Sequence, residues 1–175
     1  MERPLDGGRL RKREQFRFLF LCVLLTFSLS CGRGSEEPSL QAAEDAIQQQ
    51  IARYTAALNA ADVEIASQVW DTSPDVSFIS PAGHQHGWEE VKPVYAFFGA
   101  SFSERKLTVR DVSVHVLGDA AWAEFYWNFA AKQTSDGSPY QSEGRETQVY
   151  RKVDGRWALV HVHYSGLPNM PASSQ

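Results

Sequence analysis

The sequence predicts an α+β fold: three N-terminal helices packed on a strongly curved antiparallel sheet, with a pocket where the sheet opens. Apolar residues recur at helical spacing up to about residue 102, and from Lys106 onward they alternate with a period of two. A slip in the phase of that alternation predicts the curvature.

Ser39 can cap the first helix, whose opening turns hold Glu44 and Asp45, acidic groups that suit that end of the helix dipole. Ile47, Ile51, Tyr54 and Leu58 then form one apolar face. Residues 59–62 break the pattern, and Asp62 can cap a second, short helix carrying Ile65, Val69 and Trp70. Val76 to Ser80 reads as a strand stopped by Pro81, Ala82 and Gly83. A third helix is expected from about Trp88 to Phe102, with Val91, Tyr95, Phe98 and Phe102 on one side and a kink at Pro93. Leu107 and Val109 alternate on odd positions but Val112, Val114 and Val116 on even ones, which predicts a bulge near Arg110 and Asp111. Turns at Gly118–Asp119, Asp136–Pro139 and Asp154–Gly155 separate strands at about 120–132, 140–153 and 156–165. The helices are expected to cover the concave side of this meander.

The chain's first thirty residues differ from the rest. A basic stretch (Arg9, Arg11, Lys12, Arg13, Arg17) precedes an uncharged run from Phe18 to Leu29, the pattern of a secretory signal. That run is shorter than the ~20 apolar residues a membrane-spanning helix needs. Ser28, Leu29, Ser30 and Cys31 resemble the lipobox of bacterial lipoproteins, with Leu29 and Ser28 in reversed order; this implies lipidation at Cys31. Cleavage after Ser30 is the alternative. Gly32 after the cysteine leaves outer-membrane sorting open. The expected organisation is a signal peptide at 1–30, a tether at 31–39, a domain at 40–168 and a flexible tail at 169–175. The expected location is the bacterial cell envelope, the periplasm or the medium.

Cys22 and Cys31 are the only cysteines, so the domain itself can form neither a disulfide nor a thiolate metal site. Of the 17 basic and 21 acidic residues, six and three fall in the leader, which leaves 11 basic and 18 acidic groups and a net charge of −7. An acidic chain without a basic patch speaks against nucleic acid as a partner. Membrane contact is expected only through the signal or a lipid anchor.

The segment TQVYRKVDGRWALVHVHYSGLP (residues 147–168) resembles the last two strands of the calcium/calmodulin-dependent kinase II association domain, and LGDAA (117–121) is similar to that domain too. RYTAALNAAD (53–62) looks like the first helix of ketosteroid isomerase. Both belong to the SnoaL-like, nuclear-transport-factor-like superfamily, and the resemblance, over about residues 41–168, implies a cone-shaped α+β barrel. It does not imply an activity, because such folds host enzymes, binding proteins and assembly hubs. Isomerase chemistry needs a carboxylate base, a tyrosine donor and a protonated aspartate. Tyr54 matches the tyrosine; the base position falls at Ser80 and the aspartate position at Gln148, so the base is missing. The kinase-hub pocket holds carboxylates with three arginines, whose positions fall here on Trp127, Gln148 and Tyr164. Without guanidinium forks to grip an anion, the pocket is expected to prefer a neutral, flat or apolar ligand. The ligand-binding set expected from the resemblance is therefore Tyr54, Ser80, Trp127, Gln148 and Tyr164.

Other candidates carry plainer readings beside the chemical ones. Alternation puts Val160, Val162 and Tyr164 on one face of the last strand and Trp157, Leu159, His161 and His163 on the other, outer face. His161 and His163 are spaced as a metal pair, but no third ligand at recognisable spacing completes a zinc site; no metal and no cofactor is expected. His84 and His86 flank a turn and read as exposed loop histidines. Glu124 and Glu146 are isolated strand carboxylates, and Phe125, Tyr126, Trp122 and Trp127 read as core aromatics. The leading reading is an exported pocket domain that binds a small neutral or apolar molecule without catalysis and forms a homodimer through the outer face of its sheet. One alternative is a small acid–base enzyme of isomerase, dehydratase or hydrolase type using Tyr54 as donor with an unidentified carboxylate. The other is a structural oligomerisation module with a filled pocket.

Overall fold

The computed structural model describes residues 36–166. Helix α1 spans Glu36–Ala60, α2 Val63–Val69 and α3 Trp88–Ser101; the strands are β1 Ser77–Ser80, β2 Gly83–His86, β3 Phe102–Leu117, β4 Ala120–Gln133, β5 Pro139–Val153 and β6 Arg156–Gly166. The six strands form one sheet in the order β2-β1-β6-β5-β4-β3. Every neighbouring pair is antiparallel except β1 and β6, which run parallel. The sheet is therefore mixed, where alternation alone predicted an antiparallel meander. Cys31, the leader and the tail from residue 167 lie outside the described residues, and with them the signal, lipidation and tail expectations.

Burial of one helical stripe holds α1 to the sheet. Ile47, Ile51, Tyr54 and Leu58 are all buried, as their spacing requires. Between them, buried Gln50 donates from Nε2 to the Trp157 carbonyl at 2.9 Å. Arg105 satisfies carbonyls at the end of α1, reaching Asn59 at 3.1 Å and Ala60 at 3.2 Å. The Asn59 amide pairs with the Leu107 backbone like a strand neighbour, accepting from its N–H at 2.6 Å and donating to its carbonyl at 3.2 Å. Asp62 caps α2 as expected, accepting from the backbone N–H groups of Glu64 and Ile65 at 2.8 and 3.2 Å. Helix α1 begins before Ser39, and α3 runs through Pro93 to Ser101. Phe102 opens β3 rather than closing the helix.

Of the sheet's three register shifts, between Ser103 and Lys106, between Arg110 and Ser113 and at Val149/Tyr150, the last two bear on the expected faces. The expected one lies between Arg110 and Ser113, with Asp111 at φ 55°, so Leu107, Val109, Val114 and Val116 all face the same way across β4. The other corrects the assignment of faces in β6. Val149 pairs with His161 but Tyr150 pairs with Leu159, so Val160 is an extra residue. The alternation therefore changes phase there. Trp157 and Leu159 join Val162 in the buried core instead of forming an apolar outer face. His84 and His86, expected as loop residues flanking a turn, lie in β2, paired with β1.

Candidate functional site

Between α1, α3 and the inner face of the sheet lies an open cavity of about 340 Å³. Period two brings its sheet-borne lining together: Trp127 and Phe129 from β4, Ser142 and Glu146 from β5, Tyr164 from β6. Tyr54 and Leu58 contribute from α1. Phe98, Phe102, Phe129 and Tyr140 make an aromatic wall with ring centroids 4.8–6.1 Å apart. Phe97, 60 % exposed, stands at the rim.

Trp127 and Tyr164 face the same hollow and touch edge to face, centroids 5.7 Å apart at 85°. Gly144 makes room for the indole. A Cβ there would sit 1.9 Å from the Ser165 carbonyl oxygen and 2.6 Å from Trp127 Cζ2. Of the expected ligand-binding residues, Tyr54, Trp127 and Tyr164 line the cavity. Gln148 is fully buried behind it. Ser80 lines a smaller adjoining hollow instead, sharing Phe78 and Tyr164 with the main one, and its hydroxyl interacts with that of Tyr164.

Glu146, which the sequence reading ranked no higher than Glu124, sits at the inner end of the cavity. It is 5 % exposed and lines the void beside Tyr54. Gln148 Nε2 donates to its Oε1 at 2.7 Å, and the Tyr54 hydroxyl interacts with it as a second donor. Burial pushes the Glu146 carboxyl up to about 7, against the opposing pull of Gln148 and Tyr54. Burial, and then the charge of Glu146, push the Tyr54 hydroxyl well above its usual range, so it stays a proton donor. Tyr95, whose oxygen accepts from Trp70 Nε1 at 2.9 Å, is pushed up by burial as well. A signal for Glu146 was present: once Gln148 is placed inside, period two puts position 146 on the same face. Glu124, by contrast, lies on the outer face, 3.4 Å from His115.

The outer face of β2, β1 and β6 carries four imidazoles. His84 and His86 rings lie 3.7 Å apart, and Ser77 Oγ is 2.7 Å from His161 Nδ1. Burial, then the neighbouring His163 and His84, pull His161 below its usual value. Among the described residues no three His, Cys, Asp or Glu side chains converge as metal ligands. Trp122, expected in the core, is outside and 40 % exposed, stacked on His115 at 4.7 Å.

Residues 47–170 match the model of the SnoaL-like domain. This chain belongs to the SnoaL-like family. A nuclear transport factor 2-like superfamily protein from Salmonella enterica serovar Typhimurium LT2 is 35 % identical, with a TM-score of 0.72 over 78 % of this chain and 99 % of that one. Two more distant structures show the same fold. A protein of Xanthomonas campestris, provisionally named a calcium/calmodulin-dependent protein kinase II association domain, is 20 % identical (TM-score 0.61, 71 % of this chain and 87 % of that one). One from Novosphingobium aromaticivorans, provisionally named a scytalone dehydratase, is 14 % identical (TM-score 0.69, 75 % and 88 %). Family and fold thus agree with a ligand-binding or small-molecule-processing domain.

Proposed function

We propose that this SnoaL-like domain takes a small, flat, uncharged molecule into its cavity and that Glu146 exchanges a proton with it. The observation that carries this is a buried carboxyl, in contact with an aromatic void and held by two neutral donors. With a midpoint near neutrality the same group can accept a proton and return it. Tyr54 stands beside it as donor. An anionic ligand would meet Glu146 with no guanidinium among the described lining residues to offset the repulsion, which supports an uncharged substrate over an anionic one. The provisional dehydratase name of the Novosphingobium structure is consistent with proton-transfer chemistry. Sequence alone favours binding without catalysis; Glu146 supplies the carboxylate that the acid–base alternative needs.

Two measurements test this. Tryptophan fluorescence should show 2-naphthol binding at least about tenfold more tightly than 2-naphthoate, since one unpaired buried charge costs more than 1.4 kcal/mol; tighter naphthoate binding would remove the uncharged-ligand reading. Deuterium exchange at the carbons beside the carbonyl of 2-tetralone, followed by NMR in heavy water, reads the chemistry. There the Glu146 carboxylate takes a proton, the C–H electrons pass into the enolate, and a deuteron returns to carbon. Glu146→Gln should slow it by roughly 10²-fold or more. Binding with equal exchange in both proteins would leave a pocket domain without catalysis.

The proposal also has the domain exported, with Cys31 as its lipid attachment, and paired with a second copy. Supporting the pairing are Trp122, Val112 and Leu117, exposed apolar side chains borne by β3 and β4. A monomer by light scattering at tens of micromolar would remove the dimer. Export would be lost as a reading if the intact chain stayed in the cytosolic fraction, and lipidation if Cys31→Ser left membrane attachment unchanged.

A further inference from the structure

Three buried side chains of β5 form a hydrogen-bonded line that ends on Glu146. Tyr150, Gln148 and Glu146 sit at alternate positions on the inner face, and the first two are fully buried. The Tyr150 hydroxyl donates to Gln148 Oε1, and Gln148 Nε2 donates to Glu146 Oε1 at 2.7 Å. Every donor in the line points toward the carboxylate.

The two ends of a primary amide are alike in shape, so its partners decide which way it faces. A Gln148 reversed in place would turn its own oxygen toward the carboxylate oxygens. The ionised carboxylate, an acceptor only, opposes that reversal, and the Tyr150 hydroxyl, which makes no other hydrogen bond among the described residues, then donates to the amide oxygen and strengthens the N–H at its far end.

We propose that Tyr150 and Gln148 are positioning residues for Glu146: the Tyr150 hydroxyl holds and polarises the Gln148 amide, whose N–H meets the carboxylate that exchanges the proton. This rests on the role given to Glu146 above and deepens it. Among the described residues, the titratable groups facing Glu146 from the surrounding elements are all tyrosines: Tyr54 from α1, Tyr95 from α3, Tyr150 from its own strand and Tyr164 from β6. Burial raises all four, so they are neutral wherever Glu146 titrates. Among the described residues no cation acts on Glu146. Neutral dipoles alone therefore oppose the burial that would keep it protonated, and their orientation decides whether the base form is present near neutral pH.

The test uses the full chain labelled with ¹³C at the glutamate carboxyl carbon, with the Glu146 signal identified by its absence in Glu146→Gln. The wild-type midpoint is expected at about 7. Tyr150→Phe, which removes one oxygen and keeps the ring, should move it upward by about one pH unit, the scale of one hydrogen bond to a charged group. Gln148→Leu should move it at least as far and serves if Tyr150→Phe does not fold. Val69→Ala, a buried change away from the line, should lower the melting temperature and leave the midpoint in place. An unmoved midpoint in folded Tyr150→Phe or Gln148→Leu would overturn the proposal. If instead the midpoints move as expected while Glu146→Gln exchanges 2-tetralone protons as fast as wild type, the line stands and only the catalytic role of Glu146 falls.

Discussion

Replacing Glu146 by glutamine is expected to stabilise this protein above neutral pH. In the folded state its carboxyl is pushed up to about 7, from an ordinary value of 4.5. Between those values the folded protein keeps a proton that the unfolded chain has released, so stability falls as pH rises. Below the lower value both states are protonated and nothing is lost; above the higher one the whole difference is. Spread over that interval, at about 1.4 kcal/mol per pH unit, the loss at pH 8 is about 3 kcal/mol. Glutamine escapes it, because its side-chain oxygen can still accept from Gln148 and Tyr54 while the charge is gone. Calorimetric melts of both proteins from pH 4 to 8.5 measure this, and subtracting one series from the other cancels groups they share. The variant should melt roughly 10 °C higher at pH 8 and close to wild type at pH 4. A difference that stays flat across this range, or a variant less stable than wild type at pH 8, would refute the reasoning.

Tyr54→Phe removes a donor from the Glu146 anion, so 2-tetralone exchange at pH 7 should fall about tenfold and its pH profile should move upward; an unchanged profile would detach Tyr54 from the site. Gly144→Ala should cost at least about 3 kcal/mol in urea unfolding, because the new methyl group meets both the Ser165 carbonyl and the Trp127 ring; a loss under 1 kcal/mol would show the strands can part there. Asp62→Ala should cost about 1 kcal/mol through its two backbone partners on α2, with 2-naphthol binding retained.

Much of the fold was legible because periodicity reports which face of an element is wet. The stripe Ile47, Ile51, Tyr54 and Leu58, the Asp62 cap and the bulge near Arg110 could all be read that way. Hairpin β1–β2 is not legible because β2, Gly-His-Gln-His, has no apolar alternation; backbone pairing to β1 holds it. The Val160 bulge was invisible since valine and histidine alternate through it without a break. That omission sent Trp157 and Leu159 to the wrong side. In the site, Trp127 and Tyr164 were found through family likeness, whereas Glu146 was passed over because a lone carboxylate on a strand is usually solvated. Only its neighbour Gln148, already placed inside, could have marked it.

The surplus residue in β6 has a consequence of its own. It divides the strand into an upper part that furnishes packing for α1 and a lower part that furnishes the wall bearing Val162 and Tyr164, with one peptide unit as the joint. Excising Val160 would set His161, opposite Val149, directly after Leu159, opposite Tyr150, so that Leu159, Val162 and Tyr164 stay inside and His161 and His163 outside. A shortening by one residue would thus keep the cavity's lining and remove only the bend and extra twist that the surplus residue adds to the strand.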